Sequence, residues 1–127
     1  MKTIPSEHDE QVTFCQWLDI VGVTYYAVPN GSNKSRTAQR KFKAEGLKAG
    51  VPDMVCLFSG GVSVYIEMKR RKGSATSAEQ KEWQQRLKLL GFEAHICKGA
   101  AEAIAVIEKH LPQNKRGLNA KQAVFDV

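Results

Sequence analysis

Residues 52–69 read PDMVCLFSGGVSVYIEMK, and this stretch decides the fold. Two apolar runs, residues 53–58 and 62–69, flank a Ser-Gly-Gly turn, which predicts two antiparallel strands joined by a tight loop. In the second run apolar and polar residues alternate, so one face is wholly apolar and the other carries Glu67 and Lys69. Charged side chains in a half-buried strand are costly unless they are paired or bind something.

The rest of the chain predicts further helices and strands around this hairpin. Apolar residues at helical spacing and flanking Ser or Gly residues predict helices over residues 7–21, 35–45, 78–90 and 100–111. Aromatic and β-branched residues predict strands over residues 24–28 and 92–97. The resulting order, α-β-α-β-β-α-β-α, predicts an α/β fold in which helices flank a mixed central sheet.

Length and composition exclude several classes of protein. The chain has 127 residues, of which 43% are hydrophobic and 25% charged, as in an ordinary soluble domain. We expect one domain over residues 1–112 and a basic, flexible tail over residues 113–127. A membrane span needs about twenty apolar residues in a row, and no such run occurs. The three well-separated cysteines are typical of reduced core residues, which favours a cytoplasmic location.

Positive charge is concentrated near the hairpin. The net charge is +6, and ten of the 19 basic residues lie in residues 34–48 and 69–72. Basic segments beside an acidic cluster suit a phosphodiester substrate. The residues that we expect to contact phosphate groups are Arg36, Arg40, Lys41, Lys43, Arg70 and Arg71.

Two carboxylates and a lysine converge on the hairpin. Asp53 begins the first strand, and Glu67 and Lys69 share a face of the second. Carboxylate oxygens can bind a hard divalent cation, which stabilises charge on a phosphate and lowers the pKa of bound water. The lysine can orient or help deprotonate that water. A Glu-x-Lys pair is often only a solvated face, but the proline before Asp53, the apolar opposite face and the basic neighbours favour a site.

Five short motifs follow one another along residues 7–100. They are Glu7-x-x-x-Gln11, Val28-Pro29-Asn30-Gly31, Gly50-Val51-Pro52-Asp53, Tyr65-Ile66-Glu67-Met68-Lys69, and Ser77-Ala78-Glu79-Gln80 with Trp83. In this order they resemble the virus-type replication-repair nuclease (VRR-NUC) family of the PD-(D/E)xK superfamily. The resemblance implies a restriction-endonuclease-like core and an Mg²⁺- or Mn²⁺-dependent nuclease acting on branched DNA. It also implies a homodimer on four-way junctions, as in standalone phage members, without a small-molecule cofactor.

The resemblance further implies which residues form the site. Asp53 and Glu67 would bind the metal together with the main-chain carbonyl of Met68. Two more side chains would complete the site: Lys69 as the catalytic lysine, and Gln80 lining it from the start of its helix. For Asn30 two interpretations stay open, a contact with DNA or the active site, or a turn residue alone. On helical spacing alone Trp83, Leu87 and Leu90 are expected in the core.

The acid of the first helix has two candidates. Glu10 lies on the apolar stripe of that helix, and Glu7 lies one turn earlier on nearly the same face. Spacing does not separate them, and either could merely complement the helix N-terminus. The resemblance favours Glu7, because Gln11 follows it four residues later.

Three other functions compete with a junction nuclease. A flap or single-strand nuclease could work as a monomer, whereas two symmetric cuts need a two-fold dimer. A catalytically inactive DNA-binding module would be free to lose Asp53, Glu67 and Lys69, which are all present. An RNA-binding protein is disfavoured because the chain lacks the aromatic stacking motifs of the usual RNA-binding modules. For a dimer we expect apolar surface on the first helix, around Phe14 and Trp17.

Overall fold

The computed structural model describes residues 3–29 and 35–115. Four strands form one mixed sheet in the order in which they occur along the chain: β1 (Thr24–Ala27), β2 (Met54–Phe58), β3 (Val62–Lys69) and β4 (Glu93–Lys98). Neighbours β1, β2 and β3 are antiparallel, and β4 runs parallel to β3. The predicted hairpin is therefore confirmed as the centre of the sheet.

The helices follow the predicted order. They are α1 (Glu7–Val21), α2 (Arg36–Ala44), α3 (Ala78–Leu89) and α4 (Ala100–Glu108). The α/β fold is confirmed, although α4 ends three residues before the predicted boundary. The first residues of the expected tail form a short 3₁₀ helix, Gln113–Lys115, in which Lys115 Nζ donates to the Val21 carbonyl at 2.9 Å. Residues 116–127 lie outside the described residues.

The core lies between one face of the sheet and the helices α1 and α4. Val64, Ile66 and Met68 of β3 are fully buried there, as the alternation of that strand predicts. The expectation that Phe14 and Trp17 form surface is wrong. Their exposed fractions are 0% and 3%, because both rings lie in the core that α1 and α4 form with the sheet.

Helix α3 lies on the opposite face of the sheet. Gln84 Nε2 donates to the His95 carbonyl of β4 at 3.3 Å, and Leu87 is buried beneath the helix. The expectation that Leu90 joins the core is wrong, since it is the C-cap residue of α3 and 72% exposed. Trp83 is half-buried. This face also carries Glu67, whose side chain points away from the α1–α4 core.

The three cysteines are all unpaired, as predicted. Burial raises the pKa of the Cys56 and Cys97 thiols to about 12, so both are inert thiols at neutral pH. Cys15 is half-buried at the edge of the same core. None of the helices in the described ranges is both long and apolar enough to cross a bilayer.

Candidate active site

Three carboxylates from separate elements meet at one end of the sheet. Glu7, Asp53 and Glu67 each offer one oxygen atom, and these atoms all lie within 4.8 Å of one another. Glu7 is the first residue of α1, which begins there because the Ser6 hydroxyl accepts a hydrogen bond from the Asp9 amide at 3.0 Å. We call these three side chains the acid cluster.

The position of Asp53 follows from the way β2 begins. The first residue of β2, Met54, pairs with Ile66, so Met68 two residues further along β3 has no partner residue on β2. The Asp53 carboxylate takes that place: its Oδ2 accepts a hydrogen bond from the Met68 amide at 2.7 Å. The Lys69 carbonyl accepts from the Gly99 amide on the β4 side. Successive carbonyls alternate along a strand, so the Met68 carbonyl points toward Asp53.

Lys69 is buried and held by two acceptors. Its Nζ donates to the Ala75 carbonyl at 3.0 Å and to Gln80 Oε1 at 2.8 Å. Gln80 Nε2 in turn donates to Glu67 Oε2 at 3.0 Å. Gln80 lies there because it closes the capping box of α3, in which its Oε1 also accepts from the Ser77 amide. One amide side chain therefore connects the lysine to the acid cluster.

Gly50 lets the loop before β2 approach the start of α3. Its φ is +84°, and a Cβ atom added there would lie 2.5 Å from the backbone carbon of Glu79. Glu79 directly precedes Gln80, so a side chain at position 50 would push apart the two segments that carry Asp53 and Gln80. Glycine in this motif therefore serves the geometry of the site.

The electrostatics of the acid cluster favour a bound cation. Burial, followed by the charge of Asp53, raises the pKa of Glu67 to about 9, while Lys69 acts in the opposite direction. Burial and the charge of Asp53 also raise the pKa of Glu7. Glu67 Oε1 is buried without a hydrogen-bond partner. Three clustered carboxylates, one with an unsatisfied buried oxygen, fit a hard divalent cation such as Mg²⁺ or Mn²⁺.

Glu10 lies outside the acid cluster and has other partners. Its Oε2 accepts from Arg71 Nε at 3.0 Å, and its Oε1 accepts from the Ala100 amide at 3.2 Å. It thereby caps α4, whose N-cap residue Gly99 offers no side chain. Of the two candidates from the sequence, Glu7 is the one that the structure brings to Asp53.

Comparisons with known proteins agree with this geometry. The family model of the VRR-NUC domain matches residues 3–101. The chain belongs to the VRR-NUC family. A solved structure described as a VRR_NUC domain protein is similar to it, with a TM-score of 0.67 and 25% identity, and the match covers 85% of this chain and 89% of that one. No curated protein matches the chain. A VRR-NUC domain implies a nuclease that acts on DNA.

A cleft of about 290 Å³ leads to the acid cluster of this VRR-NUC domain. Its lining includes Asp53, Glu67 and Gln80 on one side and Lys43 and Lys48 on another. Lys43 belongs to the basic helix for which the sequence predicts phosphate contacts, whereas Lys48 lies in the loop after it and was not singled out. Only the packing of α2 and the following loop shows that they face the cleft.

The other basic residues lie outside the cleft lining. Arg36, Arg40 and Lys41 are exposed on α2. Lys41 precedes Lys43 by two residues, which is a rotation of about 200° about the helix axis, so it points away from the cleft that Lys43 lines. Arg70 is exposed beyond the end of β3, whereas Arg71 is bound to Glu10. Asn30 lies outside the described residues.

Two histidines meet at the opposite end of β4. His95 Nε2 and His110 Nε2 each lie 2.9 Å from a carboxylate oxygen of Glu93. Burial raises the pKa of Glu93, but the hydrogen bonds with His95 and His110 outweigh it, so the pKa lies below its usual value. No motif in the sequence indicates this cluster, because His95 and His110 are far apart in the chain and only the fold brings both to Glu93.

Proposed function

We propose that this VRR-NUC domain is a divalent-metal-dependent endonuclease that hydrolyses phosphodiester bonds in branched DNA, with four-way junctions as the principal substrate. The main observation behind this proposal is that carboxylate oxygens of Glu7, Asp53 and Glu67 lie within 4.8 Å of one another. The cleft that leads to them is also lined by lysines. The carboxylates alone would repel a phosphate group, but a bound cation and the lysines of the cleft would offset that repulsion. The working location is the cytoplasm of a bacterial host, where the reduced cysteines are stable.

The metal ligands in this proposal are Asp53, Glu67 and the main-chain carbonyl of Met68, with Glu7 beside them. The orphaned Glu67 Oε1 and the orientation of the Met68 carbonyl support this set. When bound, Mg²⁺ or Mn²⁺ would stabilise charge on the phosphate and lower the pKa of a water molecule.

The side chains of the chain itself position the reactants. Lys69 is the catalytic lysine: its ammonium group, fixed by Ala75 and Gln80, orients the attacking water toward phosphorus and offsets negative charge on the phosphate. Water loses one proton as it forms a new bond to phosphorus, the bond from phosphorus to the leaving oxygen breaks, and the leaving oxygen takes up a proton, so no net proton is gained or lost. Gln80 keeps Lys69 beside Glu67 at a fixed separation.

The DNA is held by the basic residues around the cleft. Lys43 and Lys48 line it, so they contact the phosphates next to the reacting one. Phosphates further from the site are contacted by the exposed residues predicted from the sequence, together with Asn30: Arg36, Arg40, Lys41, Arg70 and Arg71. These contacts carry no sequence information, which suits recognition of DNA structure rather than sequence.

The working unit in this proposal is a homodimer. The described part of each chain contains one acid cluster, and a four-way junction requires two symmetric cuts, so a two-fold interface would supply both clusters. Exposed apolar side chains next to one another in the chain, Leu89, Leu90 and Phe92, support an interface at the C-terminal end of α3. The alternative is a flap or single-strand nuclease. It needs only one cut, so the acid cluster of a monomer would be enough for it. A catalytically inactive module is disfavoured by the complete acid cluster.

The test is cleavage of labelled four-way junctions, flaps, duplexes and single strands in Mg²⁺ or Mn²⁺, followed by mapping of the cuts. Paired nicks on opposite strands of the junction are expected. Cleavage of flaps alone, by a monomer, would replace the junction substrate by the flap alternative. Equal cleavage in EDTA would overturn the metal-dependent mechanism itself.

A further inference from the structure

Beside the acid cluster lies a row of side chains that the proposed reaction does not use. Tyr26 of β1 pairs with Val55 of β2, and Val55 pairs with Tyr65 of β3, so the three side chains lie side by side on one face of the sheet. Tyr65 and Glu67 are two residues apart on β3 and share that face, about 7 Å from each other along the strand. The distance between this row and the acid cluster, about 7 Å, therefore equals about two nucleotide rises in a stacked strand.

This row forms the floor of an apolar pocket of about 190 Å³. Helix α3 supplies one wall through Trp83 and Leu87, and Val28 and Val51 belong both to this pocket and to the cleft that holds Asp53 and Glu67. A planar six-membered ring fits a cavity of about 150 Å³. We call this space the aromatic pocket.

The aromatic pocket is open to solvent at Tyr26. This side chain is 52% exposed although it is a large aromatic residue on the sheet. The neighbouring Trp83 is only half-buried, because α3 covers the β4 side of the face and leaves the β1 side open. An aromatic surface that is continuous with a phosphate-binding cleft offers stacking to a base of the same strand.

We propose that the aromatic pocket binds one unpaired nucleobase of the strand that is cut, beside the reacting phosphate. The inference rests on the proposed nuclease function, because the acid cluster and the lysines of the cleft fix where the strand runs. The base stacks on Tyr26 and lies against Trp83, and a base that is still paired cannot enter. The pocket therefore selects DNA with an unpaired nucleotide at the cut over continuous duplex, as at a flap or at a branch point whose adjacent base pair has opened.

The test measures binding rather than cleavage. Flap DNA is bound in Ca²⁺, and a single abasic site is moved one position at a time through its unpaired arm. For the wild-type protein, one position should weaken binding about tenfold, since a stacked base contributes roughly that factor. Tyr26→Ala should weaken the binding of intact DNA by a similar factor. Its affinity should not fall further when the abasic site lies at the position to which the wild type is sensitive. Tyr26→Phe keeps the ring and should bind like the wild type.

Two results would overturn the inference. In the first, no abasic position weakens wild-type binding more than the others do. In the second, the losses from Tyr26→Ala and from the abasic site multiply, which means that the tyrosine does not contact that base. Quenching of 2-aminopurine at the same position, retained in Tyr26→Phe and lost in Tyr26→Ala, gives an independent measure of stacking.

The outcome is separable from that of the proposed function. If cleavage depends on metal but Tyr26 and the base show no coupling in binding, the base-binding role of the aromatic pocket is wrong and the proposed nuclease function stands. If Tyr26 and the base are coupled in binding but no metal-dependent cleavage occurs, the pocket binds a base and the proposed nuclease function is wrong. Tyr26 is exposed at the sheet edge, so the alanine variant is expected to keep the wild-type melting temperature within a few degrees, which a thermal scan verifies.

Discussion

Replacing Glu67 by Gln is expected to stabilise the metal-free protein. The Glu67 side chain is 2% exposed, and burial together with the nearby Asp53 raises its pKa from 4.5 to about 9. Glutamine keeps the shape and the hydrogen bond with Gln80, and its second amide atom can donate toward Asp53. The substitution therefore replaces a carboxyl group that must take up a proton when it is buried by an amide that is always neutral, and it removes no packing.

The sign and size of the effect follow from the raised pKa. A carboxyl group whose pKa is higher in the folded state than in the unfolded state contributes stability below pH 4.5 and loses it as the pH rises through about 9. Each pH unit in that window costs about 1.4 kcal/mol, so at pH 7 the wild-type protein has lost about 3 kcal/mol. Glu67→Gln should recover at most this amount, which corresponds to a melting temperature roughly 10 °C higher.

Thermal unfolding in EDTA at pH 5, 7 and 8.5 measures the gain. It should fall to a few degrees at pH 5 and rise with pH. Glu82→Gln is the control, because Glu82 forms an exposed ion pair with Arg86 whose loss should change stability by less than about 0.5 kcal/mol at any of these pH values. Mg²⁺ should then stabilise the wild type but not Glu67→Gln. A Glu67→Gln protein less stable than the wild type, or a gain independent of pH, would refute the reasoning.

Three further outcomes are expected. Lys69→Ala should slow cleavage by about 10²–10⁴-fold in a single-turnover assay while leaving DNA affinity within a few fold, and undiminished turnover would exclude Lys69 from the reaction. Lys43→Ala should weaken DNA binding and reduce the slope of log K against log salt by about 0.9, whereas Lys88→Ala, at the far end of α3, should change neither. Equal effects of the two lysine variants would place the DNA elsewhere. Light scattering should give about twice the 14.1 kDa chain mass, and a monomeric mass on junction DNA would argue against the dimer.

The sequence predicted the fold almost completely, because local signals agree with the final structure. The Ser-Gly-Gly turn and the alternation of β3 specify the hairpin, and the caps Ser6, Ser35 and Ser77 lie at the starts of their helices as observed. The errors concern burial at the ends and faces of helices. Neither the burial of Phe14 nor the exposure of Leu90 can be read from helical spacing, since each depends on what packs against the helix.

The site was predictable where it rests on strand geometry and less so where it rests on packing. Glu67 and Lys69 share a face because residues two apart on a strand do so. The choice between Glu7 and Glu10 required the position of α4, whose amide at Ala100 engages Glu10. The position of Lys48 in the cleft became visible only with the packing of α2 and the following loop, and the aromatic pocket only with the sheet register and α3.

The central claim is that Asp53 and the other acids of the cluster bind the metal on which cleavage depends. The most direct measurement compares the wild-type protein with Asp53→Asn on a labelled four-way junction, in Mg²⁺, in Mn²⁺ and in EDTA. Asparagine can still accept the Met68 hydrogen bond, so fold and DNA affinity should persist. We predict metal-dependent cleavage by the wild type and none by Asp53→Asn in any condition. Cleavage in EDTA, or Asp53→Asn turnover at the wild-type rate, would contradict the account.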